Sequence, residues 1–349
     1  GNIYINIGRD LHPRVRLVET AISDANGILV ARIPTIEGMI SPRGLLFEGS
    51  VLMQDVALDG AQINLTRARD GTVALAFGDG GLKTAPSFVA LLDQSDRLLE
   101  QPAFAALRKI RATGLVINYS DVRAGRVWTV DGGLLDLDLT DDQTAVRGDF
   151  SVLSGRAGIT RMTFEYDSPR GAREARIAVS VDGARASDIA SQSQAMRWLA
   201  DVDAPISVAI RTTLDAQGAL GPLSATLALG RGALQPNAAT EPVIFDTAKA
   251  YLTYEPESQL IRFDQIEVAA PAGRVAATGR AYLGEFVEGV PQALVAQFNF
   301  SDSMLAAGGG YEDGLMFRLI CGYGLTRLPS RSARLRWLMA RPMWSRRVR

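Results

Sequence analysis

The amino-acid sequence predicts a mainly β fold: an elongated, coiled and largely antiparallel sheet with two or three short helices. Three observations predict it. Apolar and polar residues alternate with period two over much of the chain, as in Leu135, Leu137 and Leu139 against Asp136, Asp138 and Thr140. Asp-Gly and Asn-Gly pairs punctuate these runs at short intervals, and such pairs supply the positive φ angles of tight hairpins. A strand-turn-strand unit also recurs. The stretch INLTRARDGTV, Ile63 to Val73, returns as INYSDVRAGRV, Ile117 to Val127, at an offset of 54 residues with no gap.

Taken in order, the chain opens at Gly1 already in a strand-like run, Ile3-Tyr4-Ile5-Asn6-Ile7, and reads as a segment of a longer polypeptide. Hairpin turns are expected at Asp24–Gly27, Asp59-Gly60, Asp70-Gly71, Asp131–Gly133, Asp182-Gly183, Gly218, Gly230–Gly232 and Ala272-Gly273. Between them, Met162, Phe164 and Tyr166 share one face of a strand. So do Ile177, Val179 and Val181, then Val208, Ile210 and Leu214, then Phe298 and Phe300. A strand with one apolar and one wet face suits an antiparallel sheet better than a parallel one. Two segments break the alternation. Residues 86–109 carry Phe88, Leu91, Leu92, Leu98 and Leu99 at helical spacing, with Ser87 as N-cap and Pro102 as a break. A weaker helix is expected over 187–201, around Met196, Trp198 and Leu199. The domain reading is a repeated-hairpin region over 1–310 and a basic tail over 311–349.

Composition narrows the chemistry. Hydrophobic residues make up 47% and charged residues 21% of the chain, enough for a packed core and too apolar for a disordered one. The net charge of −1 gives no reason to expect nucleic acid as a partner. That balance hides an asymmetry, because residues 301–349 hold nine Arg against Asp302, Glu312 and Asp313, a net +6. With Trp337 and Trp344, this tail reads either as an amphipathic helix at a membrane surface or as an unnatural end. The single cysteine, Cys321, allows no intramolecular disulfide and no thiolate metal cluster. Cysteine poverty fits the cytosol and equally a periplasmic protein held by sheet pairing.

The candidate motifs carry little chemistry. GDGGLKT at 78–84 fails as a phosphate loop, because Leu82 separates the last Gly from Lys83. Asp136, Asp138, Asp141 and Asp142 suggest calcium only weakly, since two of them alternate on a strand and no glycine-bearing oxygen loop follows. Asn64-Leu-Thr66, Asn118-Tyr-Ser120 and Asn299-Phe-Ser301 match the glycosylation acceptor, but polar residues on the wet face of a strand explain them as well. His12, the single histidine, beside Pro13, has no nucleophile in a recognisable elbow. The expectation is therefore no enzyme, no catalytic residue, no cofactor and no resident metal.

A repeated hairpin extends a sheet, because each unit buries its apolar face only against its neighbours. If such a sheet curls without closing, the apolar face lines a trough. The residues that carry this pattern also resemble a known family. ISDANGILVARIPTIEG (22–38), DVALDGAQINLTRARDGTV (55–73), IRATGLVINY (110–119), DAPISVAI (203–210), the GxLxxL segment from Gly218 to Leu223 and AATGRAYL (276–283) are similar in type and order to the AsmA-like superfamily of Gram-negative envelope proteins, especially its YhdP-type branch. The resemblance covers about residues 20–300. It implies a β-taco-like open groove, an N-terminal inner-membrane anchor that is not in this chain, and a periplasm-facing body. It implies a role in shielding phospholipid acyl chains between the inner and outer membranes, with a membrane at either end of the full-length protein. The expected lining is Ile63, Leu65, Ile117, Tyr119, Leu135, Leu137, Leu139, Val179, Val181, Val208 and Ile210. Two rival readings stand beside it: a structural or adhesive β-repeat module with protein partners, and a glycan-active enzyme on a β-scaffold with converging carboxylates.

Overall fold

The computed structural model describes residues 1–8, 12–23, 29–47, 49–70, 72–77, 83–85, 104–122, 125–153, 159–190, 199–235, 241–271, 273–287, 290–305, 326–327 and 332–337. Along them run β1 (Asn2–Ile7), β2 (Pro13–Ser23), β3 (Leu29–Ile40), α1 (Pro42–Phe47), β4 (Met53–Asp59), β5 (Gln62–Arg67), β6 (Val73–Phe77), β7 (Lys83–Ala85), β8 (Lys109–Asp121), β9 (Arg126–Leu139), β10 (Gln143–Leu153), β11 (Ile159–Pro169) and β12 (Ala175–Arg185). There follow α2 (Ala186–Ala190), β13 (Val202–Asp203), β14 (Pro205–Leu214), β15 (Leu223–Leu229), β16 (Gly232–Leu234), β17 (Val243–Phe245), β18 (Thr247–Glu255), β19 (Leu260–Ala270), β20 (Gly273–Val287), β21 (Val290–Leu305), β22 (Thr326–Arg327) and β23 (Ser332–Trp337). The protein is mainly β, as the alternation requires. It divides into two compact units, Gly1–Asp182 with Leu214–Ala219, and Gly183–Thr213 with Leu220–Arg349.

In the first unit the strands pair in the order β1–β2–β3–β4–β8–β9–β10–β11–β12. Among the described residues nothing joins β1 back to β12, so this sheet is open. All of these pairings are antiparallel except β4 with β8. β5 also lies parallel to β8 and carries β6 and β7 on its other side.

The parallel contact explains the sequence repeat. Asp55 pairs with Lys109 and Ile63 with Ile117, so both parts of the contact keep the 54-residue offset. The two copies lie side by side, residue for residue. Asn118 donates from Nδ2 to Asn64 Oδ1 at 3.1 Å, and Thr113 Oγ1 donates to Asp59 Oδ1 at 3.0 Å, both across the same offset. Gly60 and Gly114 occupy equivalent places and both take positive φ, 72° and 59°. Gly60 takes this conformation at the break between β4 and β5, and Gly114 inserts one residue into β8 against β9, the geometry of a bulge with glycine in the left-handed position. Gly132 in β9 does the same at φ 73°. The hairpin turns expected at Asp59-Gly60, Asp131–Gly133 and Asp182-Gly183 are therefore not turns. Gly60 joins two segments that both run along β8, and Gly132 and Gly183 lie inside β9 and β12. An Asp-Gly pair supplies positive φ, and a bulge needs it as much as a hairpin does.

Phe150 fills the space that two glycines leave. A Cβ on Gly148 would lie 2.5 Å from Phe150 Cε2, and one on Gly133 would lie 3.0 Å from Phe150 Cδ1. The ring centres a buried cluster with Ile33, Ile36, Ala61, Ala112, Leu115 and Val130.

The second unit is antiparallel in the order β14–β15–β18–β19–β20–β21–β23, with β22 on β23. A small sheet, β13–β16–β17, stands apart. With α2 it closes a second cluster of Ala186, Ala190, Leu199, Val202, Ala204, Ile206 and Phe245.

The helical expectations fare unevenly. α2 begins at Ala186, and residues 199–201 form a single 3₁₀ turn, while 191–198 lie outside the described residues. Of the insert expected over 86–109, residues 86–103 also lie outside them, and Lys109 already belongs to β8. Helix α1 escaped the periodicity reading, being one turn capped by Ser41, whose Oγ accepts from Gly44 N at 3.3 Å, with Pro42 first in the helix. In the tail, Ser332–Trp337 is a strand paired with β21, so a membrane-surface helix does not form there.

Candidate functional site

Strand register sorts the first unit's sheet into two faces of opposite character. On one face two rows of side chains cross nine strands without a charge. The first runs Ile5–Val15–Gly38–Val56–Ile110–Leu137–Val146–Tyr166–Ile177. The second runs Ile3–Leu17–Ile36–Leu58–Ala112–Leu135–Gly148–Phe164–Val179. Each bulge adds a residue where it is needed to keep Leu115 and Ile117 on the face of Ala112, so the rows continue into Ile63–Ile117–Val130–Val152. Most of these side chains are only half-buried, including Leu17, Val56, Ile110, Leu137, Val146 and Tyr166.

The opposite face alternates in charge. Its central row is Tyr4–Arg16–Glu37–Ala57–Arg111–Asp136–Arg147–Glu165–Ala178. Arg16 meets Glu37 at 3.3 Å, Arg111 meets Asp136 at 2.7 Å, and Lys109 meets Asp138 at 3.0 Å. The hydrogen bond to Asp136 holds the Arg111 guanidinium above its ordinary pKa. A depression of about 980 Å³ lies over this charged face at β1–β4 and β8, lined by Tyr4, Arg14, Arg16, Glu37, Asp55 and Arg111 among others. His12 sits at its margin. Asp136 and Asp138, two of the four candidate calcium ligands, thus serve as cross-strand partners. Asp141 and Asp142 lie exposed in the β9–β10 turn. Among the described residues no group of three His, Cys, Asp or Glu is placed to hold a metal. Asn64 and Asn118, two of the glycosylation candidates, spend their side chains on each other, and Thr129 Oγ1 adds a bond to Asn118 Oδ1 at 3.2 Å.

The apolar face has a polar border at the ends of β5 and β8. Tyr119 stacks on Trp128 with ring centroids 5.4 Å apart. Its hydroxyl donates to Asp121 Oδ2 at 3.2 Å, and Arg67 Nη1 stands 4.0 Å from the same oxygen. The Asp121 side chain is fully buried. Burial, followed by the neighbouring Asp121 charge, pushes the Tyr119 phenol above its ordinary pKa.

The structure places the eleven expected lining residues as follows. Ile63, Leu65, Ile117, Tyr119, Leu135, Leu137, Leu139, Val179 and Val181 share the apolar face of the first unit. Val208 and Ile210 share a face in the second, where rows such as Val208–Leu227–Ala250–Ile266–Ala277 and Ile210–Ala225–Leu252–Phe263–Gly279–Phe298 cross the sheet. Val208 packs against the cluster under α2 and the small sheet, so that end of the second face is covered. The expected lining omitted Val15, Leu17, Val56, Ile110, Val146 and Phe164. Their alternation is visible, but their rows emerge only from register.

No described helix is long and apolar enough to cross a membrane. Compared with family models, curated proteins and solved structures, the chain finds no match.

Proposed function

We propose that this chain is a lipid-shielding β-groove segment of a Gram-negative envelope protein, in the manner of the AsmA-like superfamily that its sequence resembles. The observation that carries the reading is the pair of uncharged rows crossing nine strands, most of whose side chains are only partly buried. Eight strand spacings of about 4.8 Å make each row roughly 38 Å long, and two rows are about 13 Å wide. The resulting footprint is on the order of 500 Å², most of it already shielded by neighbouring side chains. Only a minor part of that footprint is still open to water, so covering it is worth on the order of 2–3 kcal/mol at 25 cal/mol per Å². One leaflet of a bilayer is roughly 15 Å of hydrocarbon, so an acyl chain fits along a row with length to spare. A ligand held by area alone slides between equivalent positions, which is what conduction needs and what a catalytic pocket lacks.

The rival structural reading draws support from the second unit, where α2 and the small sheet seal part of the apolar face. The glycan-enzyme reading rested on the Asp-rich strand, where Asp136 and Asp138 pair with Arg111 and Lys109.

The test is native mass spectrometry with lipid extraction on the chain produced in a Gram-negative envelope. Wild type should carry phospholipid. Leu137→Asp, which sets a carboxylate between Ile110 and Val146, should lose it while keeping its β-sheet circular dichroism. A lipid-free wild type, or unchanged occupancy in a folded Leu137→Asp, sinks the proposal.

A further inference from the structure

We propose that the loop built on α1 is a membrane wedge, whose side chains Leu45, Leu46, Phe47 and Val51 sink into the surface of a lipid bilayer. Among the described residues Phe47 and Leu46 are the two most exposed large apolar side chains, at 82% and 75%. Val51 and Leu45 follow in the same loop at 64% and 45%. Val127 and Ile159 are also strongly exposed, but each stands singly near the start of a strand. Single exposed apolar residues are ordinary, whereas a cluster of four calls for something to cover it.

The loop holds these side chains out on a closed frame. Ser41 N donates to Leu52 O at 2.8 Å, Leu45 N to Ser41 O at 3.2 Å and Ser50 N to Gly44 O at 3.1 Å. Gly44 is buried against Leu52, since a Cβ there would lie 3.0 Å from Leu52 Cδ1. Leu52 thus fills the inside of the loop, and residues 45–47 and 51 are left outside. An element that enters a bilayer must satisfy its own backbone groups, because hydrocarbon offers no partners. This loop satisfies several of its own.

The occupant follows from the directions of the side chains. Successive helical residues project about 100° apart, so Leu45, Leu46 and Phe47 fan over roughly 200°. A flat protein surface covers one or two of them at most. A bilayer surrounds an inserted knob on every side and needs no matching shape. Charge agrees with this. Residues 41–52 hold one cation, the exposed Arg43, and one acid, Glu48. Arg108, whose amide donates to Gln54 O at 2.7 Å beside the base of the loop, adds a second exposed cation. An apolar tip with cations at its base suits phosphate headgroups.

β3 and β4 run directly into this loop, and they carry Gly38 and Val56 of the first apolar row. A wedge there brings the strand ends of that row to the bilayer surface, where an acyl chain would pass from one to the other. That last step rests on the lipid-shielding reading; the membrane contact does not.

Flotation with phosphatidylethanolamine–phosphatidylglycerol vesicles tests it. Wild type should float with them and stay bound in about 1 M salt, which leaves exposed charges only about 3 Å of reach. Leu46→Ser with Phe47→Ser should weaken binding roughly a hundredfold, with unchanged circular dichroism because both side chains stand outside the core. Val127→Ser with Ile159→Ser removes exposed apolar side chains elsewhere and should float like wild type. Phe47→Trp should add fluorescence that lipids brominated along their acyl chains quench, beyond the quenching of the native tryptophans. Leu137→Asp should still float, so this proposal and the groove reading fail separately. A wild type that does not float, binding lost in 1 M salt, or a double Ser variant at 46 and 47 that floats like wild type would overturn the proposal. So would self-association without vesicles that the same double variant abolishes, because the loop would then be a contact between copies.

Discussion

Gly148→Ala should destabilise the first unit although the residue is a glycine in a strand, where alanine ordinarily gains stability. The ordinary gain comes from the unfolded chain and from strand propensity, together about 0.5–1 kcal/mol. Gly148 has no positive φ to preserve, so backbone strain plays no part. The obstacle is the Phe150 ring, whose Cε2 and Cζ would lie 2.5 and 2.7 Å from the new Cβ. Phe150 is 8% exposed and packed in the central cluster, so the ring cannot swing into water. Overpacking of this kind costs roughly 1–3 kcal/mol. The net expectation is a loss of about 1–2 kcal/mol by urea unfolding followed by circular dichroism. The cause can be isolated in a double-mutant cycle. In a Phe150→Leu background the ring is gone, and Gly148→Ala should become neutral or stabilising, a coupling on the order of 1–2 kcal/mol. If Gly148→Ala is neutral in wild type, or if its cost is the same in both backgrounds, the ring does not sit over that glycine and the account of the core is wrong.

Other outcomes follow from the same geometry. Gly114→Ala places a side chain at φ 59°, where its Cβ meets Asp59 Oδ1 at an ordinary 3.4 Å, so only left-handed strain opposes it. The expected loss is about 1 kcal/mol, measurable as a lower urea midpoint, and Gly114→Asn should lose less. Ile206→Ala, at a side chain with 0% exposure in the second cluster, should cost about 2–4 kcal/mol and lower the second unit's unfolding midpoint. Tyr119 should ionise later than an exposed tyrosine in an ultraviolet pH titration, and Tyr119→Phe should remove that late component. Its folded-state pKa is raised, so the stability it lends is full below the ordinary tyrosine range and is lost as pH rises through the folded value.

Much of this architecture was legible in the chain. Alternation alone assigned Leu135–Leu139, Met162–Tyr166 and Ile177–Val181 to strands and chose their apolar faces, because a strand's side chains alternate whatever it pairs with. The 54-residue repeat was visible too, but its meaning was not. A sequence shows that Ile63 and Ile117 are equivalent; it does not show that they are neighbours. That depends on which strand fills the edge of β8, and parallel pairing across a long connection leaves no local mark. The glycines divide the same way. Asp59-Gly60 and Asp131–Gly133 announced positive φ through their composition. Whether the chain then reversed or merely bulged was decided by partners on either side, since β8 and its neighbours hold these segments straight. The apolar rows are likewise a product of register. Residues such as Val15, Val56, Ile110 and Val146 are unremarkable one strand at a time and become a surface only when hydrogen bonding aligns them. The sequence by itself determined the strands and their two-faced character, because those rest on local periodicity. Tertiary structure decided strand order, the bulges and the continuity of the apolar face, because those rest on contacts between residues far apart in the chain.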